Sequence, residues 1–195
     1  MDQQTLQELF VDHIRDMYDA EKQLVKTLPK LAKAAESDEL AEALRNHQQE
    51  TQNHVSRLEQ AFKAMGVAAR GKACKGMKGL IEEGNEAIEE HEKGSLRDLA
   101  IIAGCQKVEH YEISAYGTAR ALAEQLDNDQ VVELLQETEE EEKKADETLT
   151  ECAVAIYETE GEEDEEAGME EEPESMAAGS ARRSAAPKTR KAGGR

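Results

Sequence analysis

Leu6, Phe10, Ile14 and Met17, followed by Leu24, Leu28 and Leu31, recur at the three-to-four-residue spacing of one helix face. This pattern predicts a helix A from about Gln4 to Ala35. Pro29 lies inside it, and a proline removes a backbone hydrogen bond, so a kink or early break is expected near Thr27–Pro29. Ser37-Asp38 reads as a turn and N-cap opening a helix B that carries Leu40, Leu44, Leu58 and Met65 and stops at Gly66. A Gly-rich, basic connection (ARGKACKGMKG) follows, then a short amphipathic helix at Leu80–His91 and a loop at Gly94-Ser95. Helix C, from about Leu96 to Gln125, carries Leu99, Ile102, Ile113, Tyr116 and Ala119. After a turn at Asp127-Asn128-Asp129, helix D, from about Gln130 to Tyr157, carries Val131, Leu135, Leu149 and Cys152.

Connection lengths carry the topology. A–B and C–D are joined by a few residues each, so each pair is an antiparallel hairpin. B–C is joined by nearly thirty residues, enough to travel the length of a bundle. Two hairpins with one long crossover, here containing a short fifth helix, make the ferritin-like four-helix arrangement within the all-α class.

Composition agrees. The chain is rich in Ala, Leu, Glu, Lys and Gln, has no Trp, and has only three prolines. The bundle is expected over residues 1–157. Residues 158–195 change character, acidic to about 174 and then Ala/Gly/Ser-rich with Arg182, Arg183, Lys188, Arg190, Lys191 and Arg195. Neither part can bury apolar area, so this stretch reads as a disordered tail.

A net charge of −20 argues against nucleic acid or an anionic membrane as a partner of the bundle, leaving only the basic end of the tail for nucleic acid. It favours cations. No run approaches the roughly 20 apolar residues that a membrane span needs, and the acidic, amphipathic N-terminus is unlike a signal peptide. Cys74, Cys105 and Cys152, widely separated, fit reduced thiols in a cytoplasm better than a disulfide framework.

Each helical stripe is apolar at its ends and polar in its middle: Glu21 on A; His47, Thr51 and His54 on B, with Glu50 flanking; Gln106 and Glu109 on C, with Glu112 one turn on; Thr138 and Glu142 on D, with Asp146 beside it. Glu50/His54 and Glu142/Asp146 are i, i+4 pairs, so each pair projects from one face. Counting from the hairpin turns places Glu21 and Glu50 at similar heights in one hairpin, and Glu112 and Glu142 in the other. Glu109 fits better by stripe and Glu112 by height. In a chain with 44 acids, chance puts many near a stripe. Several carboxylates facing one interior must nonetheless be protonated, reach solvent or be neutralised by cations. Two divalent ions held by carboxylates and imidazole, as iron, manganese or zinc, satisfy that need. His47 reads either as a ligand or as a hydrogen-bond partner behind one; His13, His91 and His110 read as surface residues.

The segments LFVDHIRDMYDAEKQLVKTLPKLAKA, ETQNHVSRLEQAF, CKGMKGLIEEGNEAI, RDLAIIAGCQKVEHYEISAYGTARALAEQL and LLQETEEEEKKADETLTECA resemble the YciE/YciF family of bacterial ferritin-like stress proteins, over about residues 4–157. The resemblance implies a ferritin-like bundle, a homodimer, a di-iron-type site and a role in stress. Its implied ligands are Glu21, Glu50, Glu109 or Glu112, Glu142 and Asp146, with His47 and His54 as alternatives for the imidazole. Asp146 stands where a typical di-iron protein has His, which makes the implied site oxygen-rich. Two functions remain open on sequence: a di-metal protein in redox or iron-storage chemistry, and a metal-free interaction module working through its charged tail.

Overall fold

The computed structural model describes residues 2–170, with side chains through residue 161. Among the described residues there are five helices and no strand: α1 (Gln3–Ala34), α2 (Asp38–Ala64), α3 (Lys75–Glu90), α4 (Ser95–Gln125) and α5 (Asp129–Glu170). The fold is the expected all-α, ferritin-like bundle. α1 packs on α2 and α4, α5 packs on the same two, and α3 lies across α1 and α4.

Cross-helix hydrogen bonds give the directions. Tyr111 donates to Asp16, and His13 meets the Ala115 carbonyl, while Asp98 accepts from the N–H groups of Glu36 and Ser37, so α1 and α4 run antiparallel. His54 and Arg57 reach Glu141, and Arg57 reaches Glu137, so α2 and α5 are antiparallel too. α3 and its flanks form the crossover that this arrangement requires.

Local chemistry fixes the ends. Ser37 Oγ caps α2 by accepting from Leu40 N–H at 3.3 Å. Gly66, at φ +71°, turns the chain out of α2, and Val67 N–H closes back on Phe62 O. Asp127, at φ +53°, does the same for α4, and Asn128 caps α5 through its Oδ1 on Val131 N–H. The buried Asp98 carboxylate holds the α1–α2 turn, at 2.9 and 2.7 Å.

Three boundaries depart from expectation. α1 is not broken at Pro29: the Val25 carbonyl, which Pro29 cannot serve, accepts instead from Gln48 Nε2 of α2 at 3.4 Å. α3 begins at Lys75 rather than Leu80, because Cys74 Sγ accepts from Met77 N–H and the Asp19 carboxylate takes Cys74 N–H. Gly76, in the stretch read as loop, serves close packing. A Cβ at Gly76 would come within 3.1 Å of the Tyr111 ring, and one at Gly104 within 3.6 Å of Gly84 Cα. Finally, α5 passes Tyr157 and continues to Glu170, since its Glu-rich run favours helix and no proline interrupts it before Pro173. The domain division drawn at 157/158 therefore falls inside a helix. The basic end of the proposed tail lies outside the described residues.

The core has two parts. One end of the bundle gathers Leu24, Leu28, Leu31, Leu40, Leu44, Ile101, Ile102, Leu149 and Ile156 around the buried thiols of Cys105 and Cys152. The other gathers Phe10, Ile14, Met17, Leu58, Phe62, Ala119, Val131 and Leu135. Polar side chains fill the middle. No helix among the described residues is long and apolar enough to cross a membrane.

Candidate metal centre

Between the two apolar clusters, four helices turn ionisable side chains inward. α1 supplies Glu21, α2 supplies His47 and His54 two turns apart, α4 supplies Glu109 and Glu112 one turn apart, and α5 supplies Glu142. All six are buried. They form two trios. In the first, His54 Nδ1 lies 3.0 Å from Glu142 Oε1 and 3.6 Å from Glu21 Oε1. In the second, His47 Nε2 lies 3.4 Å from Glu109 Oε2 and 3.7 Å from Glu142 Oε2. Within each trio the donor atoms all lie within 4.8 Å of one another, a spacing that could hold one ion, and Glu142 gives one oxygen to each. Glu112 lies with them, its Oε2 buried and without a partner.

The outer faces of the imidazoles are also engaged. His54 Nε2 is 2.8 Å from Glu141 Oε2, and Arg57 grips the same carboxylate from the other side, with Nη2 2.9 Å from Oε1. His47 Nδ1 is 3.4 Å from Glu50 Oε2. Each ring thus has a carboxylate behind it and a free nitrogen aimed inward, the orientation that outer carboxylates impose on metal-binding histidines. The Tyr116 hydroxyl donates to Glu21 Oε1.

Electrostatics without an ion are strained. Burial pushes the Glu109 and Glu112 carboxyls well above the usual range, and the negative charges of Glu142 and Glu21 push them further, against His47 beside Glu109 and His54 near Glu112. Burial also raises Glu21, against the pull of His54. For Glu142 burial acts upward, but His54 and His47 outweigh it and hold the group below the ordinary carboxylate value. Burial opposes protonation of His47, yet Glu109, Glu50 and Glu142 lift its pKa to about 9. His54 is raised likewise by Glu21, Glu141 and Glu142.

The donor set fits a pair of cations. Seven buried nitrogen and oxygen atoms of these six residues have no hydrogen-bond partner: Glu21 Oε2, His47 Nε2, His54 Nδ1, Glu109 Oε2, Glu112 Oε2 and both Glu142 oxygens. Orphaned buried polar atoms are rare and costly; among the described residues the one other such side-chain atom is Arg15 Nε, and the seven gathered here are all metal-ligating types. Four carboxylates carry four negative charges when ionised, which two divalent cations cancel.

Of the eight expected ligands, the structure brings together Glu21, His47, His54, Glu109, Glu112 and Glu142. It places Glu50 behind His47 with 46% of its side chain exposed. Asp146 faces away from the trios, bonded to Gln106 Nε2 at 3.1 Å and 3.5 Å from His110. His13, read as a surface residue, is half-buried against the Ala115 carbonyl at 3.0 Å. The sequence reading missed Glu141 and Arg57. Glu141 is hidden in the run EEEE; the available signal was Arg57 one turn beyond His54, a cation on the face that meets helix D.

Comparison with known proteins bears on the fold and the family. The profile of DUF892, a domain of unknown function, matches residues 5–161. Protein YciF of Escherichia coli K12 is 44% identical over 155 residues, which cover 79% of this chain and 93% of that protein. The crystal structure of the E. coli stress protein YciF matches at a TM-score of 0.76 with 43% identity, over 78% of this chain and 97% of that one. YcfI of Rhodopseudomonas palustris, whose description proposes a structural role, matches at 0.73 with 41% identity, over 77% and 96%. The sequence and the bundle together make this chain a member of the DUF892 family and a relative of YciF.

Proposed function

We propose that the protein binds a dinuclear metal centre, of iron in the first instance, and acts in a stress response by taking up iron or by reacting the centre with dioxygen or peroxide. The observation that carries this reading is the set of seven partnerless donor atoms contributed by all four helices. Manganese or zinc would suit the same nitrogen and oxygen donors. The reading includes a cytoplasmic homodimer: the free cysteines suit a reducing compartment, while the dimer rests on the family resemblance alone and is tested by sedimentation.

Glu21 and His54 would hold one ion, His47 and Glu109 the other, with Glu142 between them and Glu112 beside the pair. A ferrous pair, when bound, supplies two electrons, one from each ion. The chain's own residues set the conditions for that chemistry. Glu141 and Arg57 fix the His54 ring with its Nδ1 inward. Tyr116, whose hydroxyl is held well above its ordinary pKa by burial and by Glu21, keeps its proton and donates a hydrogen bond to Glu21 Oε1, orienting the free oxygen. The two apolar clusters keep bulk water from both ends of the site and strengthen every charge within it.

A second reading, a metal-free structural module, is favoured by the description of YcfI and by the mutual compensation of acid and imidazole in the ion-free site. Elemental analysis separates the two. Protein purified without chelators should carry about two metal ions per chain, and a Glu21→Ala/Glu142→Ala double variant should carry none. If both proteins are empty and stay so after anaerobic addition of Fe(II), the dinuclear reading fails.

A further inference from the structure

The two trios differ in how they meet solvent. A cavity of about 240 Å³ enters between α2 and α5. Exposed Asn46 and Lys144 stand at its mouth, Ala43 and Thr148 line it, and the buried His47 and Glu109 form its floor. Glu50 lines it too, with nearly half its side chain in water and its Oε2 3.4 Å from His47 Nδ1. The other trio is walled off. Glu21, His54 and Glu142 have side chains 0% exposed, the Tyr116 hydroxyl covers Glu21, and the Arg57–Glu141 pair covers the back of His54.

Resting on the dinuclear reading above, we propose that this cavity is the port by which divalent cations enter and leave, and that Glu50 is the carboxylate that first takes up the ion. The His47–Glu109 position is then the exchangeable half of the centre, and the Glu21–His54 position the retained half. A hydrated cation loses its waters one at a time, and a half-exposed carboxylate beside a buried imidazole offers the intermediate step. His47 Nε2 and Glu109 Oε2, both buried and partnerless, lie at the end of that route. Glu142, with an oxygen in each trio, carries an ion on to the inner position. Lys144, 66% exposed and 3.6 Å from Glu147, opposes cations at the mouth and so limits the rate.

Cobalt(II) provides the probe, because its visible absorption reports each ion. The full-length protein, loaded anaerobically with two equivalents and mixed with excess EDTA, should lose one equivalent at least tenfold faster than the other. Thr148→Phe, which fills the cavity, should slow the fast phase tenfold or more with the stoichiometry unchanged. The exposed substitution Lys144→Glu, which leaves the packing alone, should speed uptake several-fold, and Glu50→Gln should slow it. Two ions leaving in a single phase, or a fast phase indifferent to both Thr148→Phe and Lys144→Glu, would overturn the port while leaving the centre standing. A wild-type protein that takes up no cobalt overturns both.

Discussion

Glu141 Oε2 sits 2.8 Å from His54 Nε2 and so decides which nitrogen of that ring faces the interior. Partial burial works to raise the Glu141 pKa, but His54 and then Arg57, both bonded to the carboxylate, lower it to about 2 and keep the group ionised. Loss of this outer partner weakens the site without removing a donor. Glu141→Gln should lower metal affinity by about 10- to 100-fold, with the number of ions at saturation unchanged. Competition titration against a chelator of known affinity reads this directly, and an unchanged affinity would deny Glu141 its orienting role.

Glu112 separates stability from binding. Its carboxyl is pushed well above its ordinary pKa by burial and then by Glu21, Glu142 and Glu109, so without a cation the fold binds a proton there more tightly than the unfolded chain does. A raised carboxyl pKa contributes stability below the unfolded value that is lost as pH rises. Glu112→Gln removes that dependence, and the metal-free variant should be more stable at pH 7 by about 1–2 kcal/mol. The same change should weaken metal binding. Denaturant unfolding in EDTA, set beside metal titration, tests both halves.

Asp98 is buried at the start of α4 and its two oxygens accept the N–H groups of Glu36 and Ser37. Asp98→Ala strands both donors and should cost about 2–6 kcal/mol, at roughly 1–3 kcal/mol for each group left unsatisfied. Metal stoichiometry should not change, because the residue is distant in the chain from every donor. A thermal melt within a degree of wild type would show that water replaces the carboxylate.

Glu139 supplies a pH test away from the trios. Burial acts to raise its pKa, but Lys143 at 2.6 Å and Arg120 at 3.0 Å prevail and hold it below the ordinary value. A lowered folded pKa contributes stability that is present above the unfolded value, about 4.3 for Glu, and disappears as pH falls through the folded one. Stability measured from pH 5 downward should therefore fall less steeply in Glu139→Gln than in wild type.

Much of this was legible in sequence, for definite reasons. Glu21 stands alone on an otherwise apolar stripe, and a period of 3.6 leaves no other face for it; the structure buries it completely. The short and long connections fixed the topology through reach alone. What escaped was information held by neighbours. Gln48 shields the consequence of Pro29 from across a helix pair, and Asp19 and Cys74 start α3 inside a stretch whose glycines suggest a loop. Glu50 and Asp146 have the right spacing but the wrong rotation about their helices, a difference of one residue's turn that a stripe cannot resolve. Glu109 and Glu112 were alternatives by height and stripe, and the structure buries both.

The separation of the apolar core into two clusters with an ionisable belt between them also governs how the molecule opens. Without ions, the most costly contacts sit midway along four long rods, while each end is held by its own hydrophobic packing. Amide hydrogens near His47, His54, Glu109 and Glu142 should then exchange sooner than those near Leu28 or Phe62, through local fluctuation at the centre rather than fraying from the tips. Metal loading would reverse that profile, making the slowest-exchanging segment of the bundle out of its weakest one.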